Sequence, residues 1–156
     1  MSHWLFTHRA DPVAFELYKR HYSAEKNFAF RKPGNFNFVG PGFNMVLLTT
    51  NAQALFVWVK NNMERFDKQV GVCCTIFRNE TSDPYILSSD LIREADALAD
   101  ARWPGERHFT YVNAPRTSRR RSRHSPPGKC FVAAGWNLCG LNKSGKLMLL
   151  ERRSSS

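Results

Sequence analysis

The run Val70-Gly-Val-Cys-Cys-Thr-Ile-Phe-Arg78 is apolar at most of its positions. Such a run predicts a central β-strand that is buried on both faces. An amphipathic pattern from about residue 88 to Trp103 predicts a helix, which a Pro-Gly pair ends. The residues His108 to Asn113 predict the next strand. A strand, a helix and a strand in this order predict a crossover unit within a mixed sheet.

The helix of this unit has one apolar stripe. We expect the hydroxyl groups of Ser88 and Ser89 to cap its first turn. The stripe consists of Leu91, Ile92, Ala95, Leu98, Ala99 and Trp103. The charged residues that we expect to face away from the core are Arg93, Glu94, Asp96 and Asp100.

The rest of the chain predicts two more helices and the outer strands. Asp11 to His21 predicts a short helix, with Asp11 as its cap and Pro12 in its first turn. Residues 44–50 and 54–59 predict a hairpin, residues 128–134 a short helix, and residues 137–139 and 146–151 the last strands. The predicted class is α/β (α+β), with a mixed β-sheet flanked by helices on both faces.

Length and composition indicate one globular domain. With 156 residues, 42% of them hydrophobic, the chain is long enough to bury a core without disulfides. No secretory segment follows Met1, and no apolar run reaches the length of a membrane span. We expect a soluble, cytoplasmic protein that makes no membrane contact, with one domain over residues 1–151 and a flexible tail over 152–156.

The four cysteines show no metal-ligand spacing. Cys73 and Cys74 are adjacent, and Cys130 and Cys139 lie nine residues apart, so no CxxC pair is present. We predict that Cys73 and Cys74 are buried, reduced thiols. No local motif for a metal ion is visible.

The charge of the chain is strongly positive and uneven. Twenty-three Lys and Arg against thirteen Asp and Glu give a net charge of +10. Residues 116–129 hold six basic residues and no acid: Arg116, Arg119, Arg120, Arg121, Arg123 and Lys129. Such a segment, within the predicted loop 114–127 and just after it, predicts contact with the phosphates of a nucleic acid. A solvated charged loop is the alternative.

The segment Gly128-Lys-Cys-Phe-Val-Ala-Ala-Gly-Trp136, with Asn113 at the end of the preceding strand, resembles the C-terminal signature of GNAT acyltransferases. The resemblance covers roughly residues 44–151. It implies an acyl donor, acetyl-CoA or another, whose phosphates meet the start of the helix after the central strand. The residues it places there are Arg78, Ser88 and Ser89. A helix start, two hydroxyls and a guanidinium also suit an anion physically, although serine at this position equally serves as a cap.

A narrower resemblance is to the phage Mu Mom group of DNA-modification proteins. It is carried by His21-Tyr22-Ser23, Phe77-Arg78 and Ser88-Ser89. It implies modification of adenine in phage DNA, in the host cytoplasm, which protects that DNA from restriction. The interval from Arg78 to Ser89 contains no glycine and so departs from the glycine-containing run of most GNAT enzymes.

Four residues are candidates for the chemistry. His21 could accept the proton of an attacking amine, and Glu80 is an alternative base. Tyr22 could donate to an oxyanion or stack on a base. Asn113 would border the cleft in a GNAT arrangement. The alternatives are packing for the His-Tyr pair, a turn for Asn113 and a solvated carboxylate for Glu80.

Three functions therefore remain open at this stage. The first is a GNAT-like enzyme that adds a small acyl-type group to the exocyclic amine of a DNA base, adenine N6. The second is an acyl-CoA-dependent N-acetyltransferase that acts on a small molecule or a protein. The third is a non-catalytic nucleic-acid-binding domain on a GNAT scaffold. The oligomeric state is left open, a homodimer included.

Overall fold

The computed structural model describes residues 2–21, 37–113, 128–142 and 144–153. These residues form seven strands and three helices. In chain order they are β1 (Trp4–Thr7), α1 (Pro12–Lys19), β2 (Phe43–Thr49), β3 (Ala54–Lys60), β4 (Val72–Asn79), α2 (Ser88–Arg102), β5 (His108–Asn113), α3 (Lys129–Ala133), β6 (Asn137–Leu141) and β7 (Leu147–Arg152).

All seven strands belong to one sheet, in the order β1-β2-β3-β4-β5-β7-β6. Every neighbouring pair is antiparallel except β4 and β5, which are parallel. Helix α2 connects these two strands, because parallel neighbours need a crossover rather than a tight turn. The predicted class is thus confirmed as a mixed α+β fold, and the strand–helix–strand unit predicted over residues 70–113 is confirmed over residues 72–113.

The side chains of β3 alternate between two hydrophobic clusters, as the period of a strand requires. Ala54, Phe56 and Trp58 belong to one cluster, and Leu55, Val57 and Val59 belong to the other. The first cluster also holds Leu91, Ile92, Ala95 and Ala99 of α2 and Phe131 of α3. The second holds Ala14, Phe15, Leu17 and Tyr18 of α1. Trp58 and Trp136 are both buried in the first cluster.

The start of α1 agrees with its prediction. Asp11 is the N-cap, its side chain accepts a hydrogen bond from the backbone N–H of Val13, and a proline occupies the first turn. The pKa of Asp11 is lowered from its ordinary value, because bonds from Thr7 and from backbone N–H groups outweigh the effect of burial.

Two predictions about α2 are wrong. The N-cap residue is Leu87, and no side chain caps the first turn, whereas Ser88 and Ser89 were expected to do so. Asp96 does not face solvent but is only 3% exposed. It can be buried because its carboxylate receives hydrogen bonds from His108 and Trp136.

The strands differ from the prediction at several ends, and one strand was missed. Strand β4 begins at Val72 rather than Val70, whose side chain is exposed. The short strand β1 was not predicted, since its four residues carry no pattern long enough to read. Strand β7 continues through Arg152, which was assigned to the tail, because its guanidinium pairs with Asp100 of α2. In the described part of the chain no helix is long and apolar enough to cross a membrane.

Candidate functional site

The two parallel strands of the sheet pair over only part of their length. The described pairing of β4 with β5 covers Val72 to Cys74 against His108 to Thr110. Beyond this point β4 stays paired with β3 up to Asn79, and β5 stays paired with β7 up to Asn113. The carboxyl-terminal halves of β4 and β5 are therefore not paired with each other, and we call this unpaired stretch the β4–β5 gap.

A β-bulge marks the place where the gap begins. Val57 pairs with Ile76 and Trp58 pairs with Cys74, so Thr75 has no partner in β3. A bulge bends its strand and increases the local twist. On the other strand, the hydroxyl of Thr110 donates a hydrogen bond of 2.8 Å to the carbonyl oxygen of Cys74. This bond lies at the last paired residues of β4 and β5, next to the bulge at Thr75.

Two arginines and one carboxylate lie together at the end of β4. Arg20, just past the end of α1, donates from Nε and Nη2 to the two oxygens of Glu80, at 2.7 and 2.9 Å. Nε of Arg78 donates to Oε2 of the same carboxylate at 2.9 Å. Two guanidinium groups on one carboxylate leave a net positive charge, which favours an anionic ligand. We call Arg20 and Arg78, which Glu80 holds together, the arginine pair.

These contacts decide what Glu80 can do. Its bond from Arg20, with a further bond from Arg78, outweighs burial and lowers the pKa of the Glu80 carboxyl below its ordinary value. A carboxylate with a lowered pKa is a weaker proton acceptor. The same bond, which Arg20 donates to Glu80, raises the pKa of the Arg20 guanidinium. Glu80 is therefore better suited to hold the two arginines than to act as a general base.

The start of α2 lies at the same end of β4 as the arginine pair. Asn79 follows Arg78, and its side-chain amide donates a 2.8 Å hydrogen bond to the hydroxyl of Ser88. Its carbonyl oxygen accepts bonds from both the backbone N–H and the hydroxyl of Thr81. Since no side chain caps the helix, the first backbone N–H groups, those of Ser88 and Ser89, carry the positive end of the helix dipole. Arg78, Ser88 and Ser89 thus lie at the same end of β4. The side chain of Arg78 lies on the other face of the strand from that of Asn79, which bonds Ser88.

The structure places the other candidates as follows. His21 directly follows Arg20, is only 8% exposed, and its backbone N–H donates to the carbonyl oxygen of Tyr18. Asn113 ends β5, on the other strand that borders the gap. Lys129 is the first residue of α3 and is exposed. Predictions for Tyr22, Arg116, Arg119, Arg120, Arg121 and Arg123 lie outside the described residues.

Sequence reasoning missed Arg20. Its partner Glu80 lies 60 positions away, so no local pattern connects the two. The nearest signal was its position beside His21, at the end of a helix that the sequence did predict. A basic residue at the end of a helix is also expected because it interacts favourably with the negative end of the helix dipole. Local patterns therefore give no reason to look for a distant partner of Arg20.

The adjacent cysteines Cys73 and Cys74 are not candidates for chemistry. Cys73 and Cys74 are buried and carry no disulfide, as predicted. Burial raises the pKa of Cys73 to about 12 and that of Cys74 well above its ordinary value. Both thiols therefore stay protonated near neutral pH, when a nucleophile or a metal ligand must be a thiolate. Among the described residues, no group of three His, Cys, Asp or Glu side chains could hold a metal ion.

Comparisons of the chain with protein-family models, with curated proteins and with solved structures found no match.

Proposed function

We propose that the protein is a GNAT-like transferase that adds a small acyl-type group to the exocyclic amine of a DNA base, adenine N6 in the first instance. The observation that carries this proposal is the β4–β5 gap, with the arginine pair and the uncapped start of α2 at its β4 side. Two parallel strands that are unpaired with each other beyond Cys74 and Thr110, with groups suited to an anion at the end of β4, fit a long phosphate-bearing donor.

The packing of the helices supports the GNAT-like part of the proposal. Buried residues of α1 share a cluster with one alternating set of β3 side chains. Buried residues of α2 and α3 share a cluster with the other set. Such clusters are what a sheet with helices on both faces would have. The short helix α3 followed by the buried Trp136 agrees with the expected C-terminal turn.

The proposed reaction is the transfer of an acyl group from a thioester such as acetyl-CoA to nitrogen. The amine nitrogen attacks the carbonyl carbon, the carbon–nitrogen bond forms, and the carbon–sulfur bond breaks to release the thiol. The amine proton passes to a base, for which His21 is the better candidate because the arginines lower the basicity of Glu80. The arginine pair and the first N–H groups of α2 would hold the donor phosphates.

The net charge of +10 and the basic segment 116–129 support DNA as the acceptor. An amine on a paired base is out of reach of a cleft, so the base would have to leave the stack or the strand would have to be single. An N-acetyltransferase that acts on a small molecule or a protein would use the same gap and the same anion site, and it stays the second candidate.

The decisive experiment is mass analysis of nucleosides from DNA of cells that express the chain. A new nucleoside, heavier than deoxyadenosine by an acyl-type group, is the expected result. Unmodified DNA under good expression would contradict the proposal for that host. Incubation of purified protein with acetyl-CoA and duplex DNA, followed by the same analysis, tests one named donor. If acetyl-CoA raises the melting temperature of the protein but DNA stays unmodified, the second candidate is favoured.

A further inference from the structure

The loop over residues 61–71, between β3 and β4, holds large apolar side chains in solvent. We call it the β3–β4 loop. Phe66 exposes 107% of its reference area, Met63 80% and Val70 74%. Large apolar side chains that cluster on the surface mark a place where a partner binds, because contact with the partner removes them from water.

The loop is held in place by polar contacts, so this exposure is built into its conformation. Arg65 donates from Nε and Nη2 to the two oxygens of Asp67, at 2.9 and 2.7 Å. Asp67 also accepts a bond from the backbone N–H of Gln69, and Arg65 reaches Asn61 at 3.3 Å. A two-pronged bond between Arg and a carboxylate is among the better defined contacts in proteins.

The same two residues fix the direction of Phe66. The hydroxyl of Tyr111 in β5 donates to Asp67 at 3.1 Å. The guanidinium of Arg65 lies 5.1 Å from the ring centre of Phe109, also in β5. Residues on either side of Phe66 are thus turned toward the sheet, and Phe66 between them is turned away from it.

The β3–β4 loop contacts β5, the strand that borders the β4–β5 gap and precedes the basic segment in the chain. Tyr111, which anchors it, is two residues before Asn113, and residues two apart on a strand share a face. The basic segment 116–129 begins three residues after β5 ends. The β3–β4 loop, with its exposed Phe66, is therefore attached to β5. This strand borders the β4–β5 gap and precedes the arginines of the basic segment in the chain.

We propose that Phe66 and Met63 form an apolar wedge that enters the base stack of DNA beside the base to be modified. The inference rests on the proposed function, which needs a base that has left the stack. Proteins that open a duplex insert Phe, Met, Leu or Ile between base steps while basic residues hold the phosphates. An exposed Phe three residues from an exposed Met, in a loop that polar contacts hold, fits this use, and phosphate contacts by the basic segment supply the affinity.

A test uses the full chain and a DNA duplex that carries 2-aminopurine, whose fluorescence rises when it unstacks. Duplex affinity is measured in parallel by fluorescence anisotropy with a separate label. The variants are F66A and M63A. The matched control is F6A, because Phe6 is 65% exposed but lies on β1 at the far edge of the sheet. Both phenylalanines are exposed, so neither change disturbs the core.

We expect the wild-type chain to raise the 2-aminopurine signal and F66A to lose most of that rise. F66A should also bind the duplex about 5-fold more weakly or worse, which is the lower end of what one base–aromatic stack contributes. M63A should show a smaller loss of the fluorescence rise and of duplex affinity. The duplex affinity of F6A should stay within about 2-fold of the wild type, since Phe6 stacks on no base.

Several outcomes would overturn the wedge. One is duplex binding without any rise in the signal, and another is a full rise with F66A. A concentration-dependent dimer that F66A abolishes, with no effect on DNA, would assign the loop to contact between protein copies instead. These results can be distinguished from a failure of the proposed reaction. Unstacking without a modified nucleoside supports the wedge and contradicts the transfer reaction. A modified nucleoside without unstacking supports the transfer reaction and contradicts the wedge.

Discussion

Nδ1 of His108 lies 2.7 Å from Oδ1 of Asp96, and both residues are buried between α2 and the sheet. A carboxylate only accepts hydrogen bonds, so this nitrogen carries the proton. The other oxygen of Asp96 accepts a 2.9 Å bond from the indole of Trp136. Arg152 reaches Asp100 at 2.9 Å, and Asp100 lies 3.2 Å from Nε2 of His108. The network ties α2 to β5, to β7 and to the turn after α3.

The first prediction concerns this network. D96A leaves the proton donors of His108 and Trp136 buried without their acceptor, so we expect the free energy of unfolding to fall by about 3–5 kcal/mol. The control is D90A on the same helix, whose exposed pair with Arg93 should matter by less than about 1 kcal/mol. Urea unfolding measures both. Equal effects of the two changes would show that the buried contacts add nothing.

The second prediction concerns Gly71, at the start of β4. Its φ of +130° is unfavourable for other residues, and an added Cβ would lie 2.2 Å from the carbonyl oxygen of Arg107. We expect G71A to lower the free energy of unfolding by more than about 3 kcal/mol, since strain and a backbone clash add together. Gly105 has a φ of +77° and open space around it, so G105A should lower it by only about 1 kcal/mol. Thermal unfolding of both variants would refute the argument if their losses were alike.

The third prediction concerns pH and Asp67. The hydrogen bonds from Arg65 lower the pKa of Asp67 from 3.8 to about 2. A lowered pKa in the folded state means that the stabilisation is fully present above about pH 4 and is lost as the pH falls toward 2. We expect D67N to be less stable than the wild type at pH 5 and to approach it near pH 2.5. Urea unfolding between these pH values checks this, and parallel pH curves would contradict it.

The fourth prediction concerns His21 as the base. H21A should lower the rate of base modification by about 100-fold or more, the usual contribution of a general base. H21Q, which cannot take up a proton at this pH, should be equally slow if the role is proton transfer. H8A is the control, because His8 is exposed on the loop before α1. Comparable circular dichroism and melting temperatures must accompany the loss. Full activity of H21A would remove His21 from the mechanism.

The fifth prediction concerns the basic segment. Replacing Arg119, Arg120 and Arg121 by Gln should make the plot of log affinity for duplex DNA against log salt less steep by about 2–3 units, because each neutralised phosphate contributes about 0.9. The control replaces three exposed basic residues elsewhere, Lys19, Arg93 and Arg153, by Gln. The salt slope of the control should stay near that of the wild type. A shared change in both would indicate an effect of net charge alone.

Local patterns predicted most of the elements because the periodicity of side chains reflects the face that is buried. The stripe on α2 and the run of β4 are long enough to read, and both were confirmed within a few residues. The four residues of β1 were too few. Asp96 was placed on the wrong side because hydrophobic patterning assigns every carboxylate to solvent, although a carboxylate with two donors is stable in the core.

The candidate site was predictable only in parts. Arg78, Ser88 and Ser89 were chosen from the GNAT resemblance and because a helix start with hydroxyls and a guanidinium suits an anion, and the structure brings them to the same end of β4. The capping role of the two serines was wrong, since the backbone enters the helix one residue earlier, at Leu87. That difference leaves the first N–H groups without a side-chain partner from the cap, which favours an anion there.

By itself, the sequence determined the class of fold, the strand–helix–strand unit and the buried state of Cys73 and Cys74, because each depends on residues near one another in the chain. Only the tertiary structure decided that Arg20 meets Glu80, that Tyr111 meets Asp67, and that β4 and β5 are not paired with each other after Cys74. Contacts between residues 44 to 60 positions apart depend on how the whole sheet twists and where Thr75 bulges. No periodic pattern encodes them.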